Sequence, residues 1–196
     1  MKFRQFLLVI LFYSLSCVNT YSIEPDIFVQ STVNRASNVL SKNMSKEDKM
    51  NELKMIAKET VDIKAVGFYS LGSIRKNLDV SQKIMYSELF EAYFLKSFSS
   101  RLAEYTNPEI EVKGKKILNK NYTIVNSILI STAERPEVKI DWRVYTKNPD
   151  KPLIRDLIIE GLSLARTQKE EFASILNSNN GNIDSLFKVL EEFSNN

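Results

Sequence analysis

Apolar positions recur at helical spacing through the first hundred residues, and at the spacing of two typical of strands in the part that follows. Over residues 26–42 the apolar side chains lie close to one helical stripe. Ser45, followed by Asp48, predicts a capped second helix, and a short third helix is predicted from Asp62 to Leu71-Gly72. The N-terminal part of the chain is therefore predicted to be helical.

The longest predicted helix begins near Ser81 and is aromatic along one side. Asp79 or Ser81 can cap its first turn, and Asn107-Pro108 is predicted to stop it. Its apolar stripe consists of Tyr86, Leu89, Phe90, Tyr93, Phe94, Phe98, Leu102 and Tyr105. Such a stripe more often packs against a sheet than binds a ligand, so the pattern alone predicts core.

Strands replace helices after Glu109. One strand is predicted from Ile110 and a second over residues 122–132. Over residues 137–146 the alternation predicts a core face made of Val138, Ile140, Trp142 and Val144. Asn148-Pro149-Asp150 is typical of a turn, so residues 153–159 are predicted to return antiparallel.

Two more helices are predicted after the strands. Thr167 and Glu170 form a possible capping box for the first, Gly181 is predicted to end it, and the last helix follows from Ile183. The predicted fold class is α+β, a single domain in which an antiparallel β-sheet is wrapped by N-terminal and C-terminal helices.

The N-terminus predicts export. Lys2 and Arg4 precede an apolar run, and small residues follow it, as in a secretory signal peptide. The run is about half of the roughly 20 residues that a transmembrane helix needs. We expect residues 1–22 to be the signal peptide and residues 23–196 to be the mature domain. A lipid anchor on Cys17 is the alternative, although Ser14 stands where lipoprotein signals usually carry Leu.

Composition excludes several function classes. The chain has no histidine and one cysteine, so histidine triads and histidine or thiolate metal sites have no ligands in the mature domain. The 27 basic residues nearly balance the 24 acidic ones, which argues against nucleic-acid binding. The acids placed near the apolar interior are interpreted as capping or surface groups: Asp62, Asp141, Asp156 and Glu160. We therefore predict no catalytic residue, no metal site and no enzyme activity.

One motif near the C-terminus resembles a known family. Asp156 is followed by Glu160-Gly161-Leu162-Ser163, where an apolar strand runs into a polar, helix-forming segment. This resembles the closing signature of the MlaC family, also called the toluene-tolerance auxiliary family, whose pattern is Asp-x-x-x-Glu-Gly-Val-Ser. Gly161 is expected to adopt a positive φ at this junction.

Other segments resemble the same family. They are Val61-Asp62-Ile63 with Leu71-Gly72, the aromatic helix, the strand from Val138 to Trp142, and Phe172 with Leu186. Two departures stand out: no Trp occurs near Pro152, and Arg155 replaces the family's Tyr just before the Asp.

The resemblance implies a periplasmic phospholipid carrier that maintains lipid asymmetry. Its implied partners are phospholipid, an inner-membrane ABC transporter complex with a lipid-capture subunit, and an outer-membrane lipoprotein–porin complex. Phospholipid would be bound as cargo rather than as a cofactor, and the protein would act as a monomer without binding nucleic acid.

The resemblance also implies an apolar cleft for the acyl chains, with the headgroup solvated at its mouth. Arg75, Lys76 or Arg155 could approach the headgroup, although a solvated surface position fits each of them. The residues expected to line the cleft are Phe68, Leu71, Phe90, Phe94, Phe98, Leu102, Ile128, Ile140, Trp142, Val144, Ile158 and Leu164.

Two other functions stay open at this level. One is a small α+β cone enzyme that uses Asp141 or Asp156 on a hydrophobic substrate. The alternation places Asp141 opposite Ile140, and Asp156 out of phase with Leu157, which predicts that both acids lie outside the core. The other is an envelope adaptor with a closed core that binds no lipid.

Overall fold

The computed structural model describes residues 22–133 and 135–195. The predictions made for residues 1–21, including the body of the signal peptide and Cys17, lie outside this range. Before the sheet come α1 (Pro25–Ser41), α2 (Lys46–Thr60), α3 (Ile63–Ser70), a 3-10 turn at Ile74–Lys76 and α4 (Val80–Leu102). The strands are β1 (Ile110–Asn119), β2 (Tyr122–Leu129), β3 (Val138–Tyr145), β4 (Leu153–Ile159) and β5 (Leu162–Ser163). Two helices end the chain, α5 (Leu164–Ser178) and α6 (Ile183–Asn195).

The sheet is an antiparallel meander in which each strand pairs with the next in the order β1-β2-β3-β4-β5. The segment between α2 and α3 joins this sheet, because Val61 forms a parallel bridge with Ile154 and the Asp62 N–H donates to the Ile154 carbonyl at 2.9 Å. The helices before the sheet are thereby attached to β4. The predicted α+β fold is confirmed.

Side-chain caps set the starts of α2, α3 and α4 where the sequence predicted them. The Ser45 hydroxyl accepts the Asp48 N–H at 3.0 Å, and the Asp62 carboxylate accepts the Ala65 N–H at 3.1 Å. Asp79 rather than Ser81 caps α4, in a reciprocal capping box with Gln82. The backbone N–H of Gln82 is also the main reason that the pKa of Asp79 is lowered.

Two predicted helix boundaries are wrong. Helix α4 ends at Leu102, well before Asn107-Pro108, and Tyr105 lies outside it with 41% of its surface exposed. Helix α5 begins at Leu164 rather than after Thr167, because the Ser163 hydroxyl accepts the Arg166 N–H at 3.1 Å and caps the helix first.

Three clusters of buried apolar side chains make up the core of the described residues. The helical cluster joins α3, α4, α5 and α6, and includes Tyr86, Phe90, Phe172 and Leu186. The sheet cluster joins Val29 and Val33 of α1 to one face of the sheet. A smaller third cluster packs α1 on α2 around Val39, Leu40, Leu53 and Ile56. Val61 packs against both the helical and the sheet cluster.

Helices α3 and α4 approach most closely at Gly67. A Cβ atom on Gly67 would lie 2.6 Å from Cδ1 of the Phe90 ring, which is shorter than any normal carbon contact. The Tyr86 hydroxyl donates to the Gly67 carbonyl at 2.8 Å, and burial raises the pKa of this hydroxyl. Glycine is required here by the close packing of the helices, and it fixes Phe90 against α3.

We expect Gly67→Ala to destabilise the protein by about 1–3 kcal/mol, because the added methyl overpacks the contact with Phe90. This loss exceeds the gain of about 0.5–1 kcal/mol that Ala brings to a helix interior. Urea unfolding followed by circular dichroism measures the difference. Gly114→Ala is the matched control, because no atom lies within 4 Å of its added Cβ. Equal unfolding midpoints for the two variants would contradict the prediction.

Candidate functional site

The aromatic row is a continuous line of rings along α4 and its contact with α3. We define it as Phe68, Tyr86, Phe90, Phe94 and Phe98. The four residues of α4 are spaced four apart, so they share one face of the helix. Ring centroids lie 5.9 Å apart for Phe68 and Tyr86, 5.7 Å for Tyr86 and Phe90, 6.1 Å for Phe90 and Phe94, and 5.6 Å for Phe94 and Phe98.

Burial changes along the aromatic row. Tyr86 and Phe90 are 1% and 2% exposed, whereas Phe94 and Phe98 are half-buried although they pack against the same cluster. The rings of Phe94 and Phe98 are nearly parallel, with an interplanar angle of 9°. The middle of the row is therefore closed core, whereas Phe94 and Phe98 at one end are large apolar side chains that the protein covers only in part.

The inner face of the sheet supplies a second apolar surface. Ile140, Trp142 and Val144 lie on it together with Val125 and Leu129 of β2. Its polar atoms are satisfied within the sheet: the Trp142 indole N–H donates to the Ser127 hydroxyl at 2.8 Å, and that hydroxyl donates to the Ile140 carbonyl at 3.0 Å. This face presents carbon rather than unpaired donors.

The structure brings most of the predicted lining residues into these two surfaces. Phe68, Leu71, Phe90, Phe94 and Phe98 belong to the helical cluster or pack against it. Ile140, Trp142 and Val144 belong to the sheet cluster. Four lie elsewhere: Leu102 packs against the third cluster, Leu164 is 40% exposed at the start of α5, and Ile128 and Ile158 lie on the outer sheet face.

A β-bulge in β4 explains the position of Ile158. Val144 pairs with Ile154, but Arg143 pairs with Asp156, so Arg155 is an extra residue that reverses the alternation. Leu157 and Ile159 then pair with Trp142 and Ile140 on the inner face, while Ile158 pairs with Asp141 on the outer one. Sequence reasoning missed Leu157 and Ile159, and the available signal was the charged pair Arg155-Asp156 inside an apolar strand.

Asp156 is buried, contrary to the prediction that it lies outside the core. It faces the outer side of the sheet as its phase requires, but only 6% of the residue is exposed. One carboxylate oxygen accepts the Ser163 hydroxyl at 2.7 Å, and the other accepts the Ala165 N–H at 3.0 Å. The carboxylate thus ties β4 to the first turn of α5, and both of its oxygens are occupied by protein donors.

The turn between Asp156 and Ser163 accounts for the rest of the motif. Glu160 and Gly161 have φ angles of 49° and 84°, and they join Ile159 to its partner Leu162 in a two-residue hairpin. The Glu160 carboxylate also accepts the Lys139 N–H at 2.5 Å. The positive φ predicted for Gly161 is confirmed, and the motif serves to close the sheet and start α5.

Arg155 is engaged with neighbouring side chains. Its guanidinium lies 2.7 Å from the Asp62 carboxylate, donates to the Tyr122 hydroxyl at 2.7 Å, and stacks over the Tyr145 ring at 3.5 Å.

The other charged residues considered from the sequence lie nearer the surface. Arg75 and Lys76 are exposed, and Arg75 donates to the Phe68 carbonyl at 3.1 Å. The carboxylate of Asp141 accepts the side-chain amide of Asn126 at 2.8 Å on the outer sheet face.

A groove of about 580 Å³ lies between α4, α5 and α6, and it contains none of the predicted lining residues. Its wall mixes polar and apolar groups, and the Tyr93 hydroxyl donates to Gln168 there at 3.0 Å.

Among residues 22–133 and 135–195, no helix is long and apolar enough to cross a membrane.

Comparison with known proteins gives a family and a fold. The model of the MlaC protein family matches residues 30–192. A solved structure of a phospholipid-binding protein from Ralstonia solanacearum, in complex with a phospholipid, aligns with a TM-score of 0.73 at 18% identity. The alignment covers 88% of this chain and 97% of that one. No curated protein matches the chain.

We expect Asp156→Ala to destabilise the protein by about 2–3 kcal/mol, because it leaves a buried N–H at Ala165 without its charged acceptor. Thermal and urea unfolding measure the loss. Asp141→Ala is the matched control, since it removes a less buried carboxylate from the same outer face and we expect a change below about 1 kcal/mol. Similar losses in both variants would show that Asp156 is not the anchor of α5.

Proposed function

The chain belongs to the MlaC family, and from that premise we propose that it binds a phospholipid by its acyl chains and carries it through the periplasm. The observation that supports this most directly is the aromatic row, which leaves Phe94 and Phe98 partly uncovered beside a closed core. A second argument is the phospholipid in the structurally similar protein from Ralstonia solanacearum.

The proposed cleft lies between the two apolar surfaces. The helical and sheet clusters pack as separate units that meet at Val61, so acyl chains placed between them would contact the aromatic row on one side and the half-buried inner-face residues Leu157 and Ile159 on the other. Leu157 and Ile159 replace Ile158 in this proposal, since they share the face of Trp142 and Ile140. Ile128, Leu102 and Leu164 would lie outside the cleft or at its margin.

Apolar contacts alone can supply the affinity that carriage requires. Each buried methylene contributes about 0.8 kcal/mol, so a sixteen-carbon chain represents roughly 12 kcal/mol of transfer free energy. A carrier must match most of this, or the lipid stays in its membrane. A long row of rings opposite a carbon-lined sheet face fits that need, and no catalytic group takes part in it.

The headgroup is proposed to remain in solvent at the cleft mouth. Arg155 is already neutralised by Asp62 and held by two tyrosines, so it is a poor candidate for binding phosphate. Arg75 and Lys76 are exposed and could approach a headgroup without being desolvated. Selectivity would therefore be for acyl chains, with little discrimination between headgroups.

The wider role proposed here is that implied by the family. The protein, exported after cleavage behind Ser22, would accept a phospholipid from one membrane complex and deliver it to another without consuming energy. The proposed complexes are the outer-membrane lipoprotein–porin complex and the inner-membrane ABC transporter with its lipid-capture subunit. An enzyme role for Asp156 is disfavoured because both of its oxygens are bonded to α5.

Native mass spectrometry of the protein, purified from bacteria without detergent, tests the proposal. We expect a discrete mass excess that solvent extraction identifies as phospholipid. The double variant Phe94→Ser, Phe98→Ser should carry at least tenfold less phospholipid, because it places hydroxyl groups on the proposed wall of the cleft. Val80→Ser with Ile84→Ser is the matched control, since both of these residues of α4 are more than half exposed, at 73% and 56%.

Two results would contradict the proposal. A folded Phe94/Phe98 variant with an unchanged lipid load would place the cleft elsewhere. A bare protein mass that does not change after incubation with phospholipid vesicles would favour the envelope adaptor.

A further inference from the structure

The hairpin between β1 and β2 projects uncovered apolar side chains at one end of the sheet. Ile117 is 73% exposed and Leu118 is 46% exposed. Every residue from Lys115 to Lys120 is exposed, and neighbouring residues of a strand point to opposite faces. Neither side of β1 is therefore covered here. The strand is also an edge strand of the sheet.

Four lysines lie at the same end of the sheet as these two apolar side chains. Lys116 and Lys120 lie on the hairpin itself, and Lys147 and Lys151 lie on the turn between β3 and β4. The register brings the two segments to the same end of the sheet, because Tyr122 pairs with Tyr145 and the Thr146 N–H donates to the Asn121 carbonyl at 2.8 Å. We call residues 116–120 and 147–151 the lysine tip.

Negative charge near the lysine tip is either scarce or already paired. Between residues 112 and 122 the sequence contains no acid, and between residues 145 and 152 it contains only Asp150. Glu24 and Asp26, at the start of α1, both pair with Lys115, which lowers the pKa of Asp26. The tip therefore carries an excess of positive charge although the whole chain is nearly neutral.

We propose that the lysine tip docks the protein on the surface of an anionic lipid bilayer. Lysines near a membrane are attracted by anionic headgroups, and their long stems reach that level while Ile117 and Leu118 enter the interface. A stable protein interface typically covers about 800 Å² on each partner, for which a projecting tip with two apolar side chains is too small. Insertion into a fluid surface needs no such complementary patch.

This inference goes beyond the proposed function and does not depend on it. None of the residues proposed to line the cleft belongs to the lysine tip, so surface docking and cargo binding use different parts of the molecule. Docking of this kind is electrostatic and reversible, so it is sensitive to salt. It would bring the protein to a membrane surface and allow it to dissociate again.

Flotation with vesicles tests the proposal, using the exported protein as the cell processes it. We expect binding to vesicles of phosphatidylethanolamine and phosphatidylglycerol, loss of binding at high salt, and little binding to phosphatidylcholine. Replacing Lys116, Lys120, Lys147 and Lys151 by Gln should weaken binding at least tenfold. Ile117→Ser with Leu118→Ser should weaken it severalfold while a salt dependence persists.

The matched control replaces Lys42, Lys46, Lys64 and Lys188 by Gln. These four lysines are also exposed, and they lie just after α1, on α2, on α3 and on α6 rather than at the hairpin. The control makes the same change in net charge, so unchanged vesicle binding supports a local site. Circular dichroism and the lipid load from native mass spectrometry establish that each variant is folded and that cargo binding is a separate property.

Three outcomes overturn the proposal. The first is that the control and tip variants weaken vesicle binding equally. The second is that the protein binds anionic and neutral vesicles equally. The third is that both tip variants bind vesicles as well as the wild-type protein does. Normal vesicle binding with loss of binding to a purified membrane-protein partner would mean that the tip recognises an acidic protein surface instead. A protein that binds no lipid cargo but floats with anionic vesicles through the tip would still support it.

Discussion

The attachment of the helices to strand β4 is the constraint on which the remaining structure depends. Three different contacts converge on three consecutive residues of this strand. Val61 and Asp62 join its backbone at Ile154, the Asp62 carboxylate pairs with Arg155, and Asp156 holds the first turn of α5. A buried carboxylate costs free energy unless its oxygens are bonded, so Asp156 fixes the start of α5 with little freedom.

The molecule has two halves, the sheet with α1 and the helices α3 to α6. Because these halves are joined at β4, each can complete its own core. The sheet closes its inner face with α1, and α3 to α6 close around Phe90 and Phe172. Neither half has to bury the end of the aromatic row, so Phe94 and Phe98 stay half-buried. In a protein with one continuous core, such rings would be among the most buried side chains, and the proposed lipid-binding role would account for their partial exposure.

The sequence predicted where the helices and strands lie better than it predicted which side chains they bury. The apolar period and the capping residues predicted the positions of α1, α2, α3 and β4 closely, because these signals are local. Ile158, which was expected to line the cleft, lies on the outer sheet face, because one extra residue at Arg155 reverses the alternation after Ile154 and periodicity cannot detect a bulge. The burial of Asp156 and the capping of α5 by Ser163 depend on contacts between β4 and α5, which no local pattern contains.

The departures from the family pattern are also explained by these contacts. Leu162 stands where the resemblance has Val, and with 59% of its surface exposed this position makes little demand on side-chain shape. Arg155 stands where the family has Tyr, and the structure accommodates its charge with Asp62 and the Tyr145 ring on the outer sheet face. Arg155 thus lies in the attachment to β4 rather than on the inner apolar face, and Leu162 lies in the hairpin that follows β4. The signature encodes how the helices are joined to the sheet, while the proposed capacity for an apolar ligand depends on the carbon-lined surfaces that this joint holds in place.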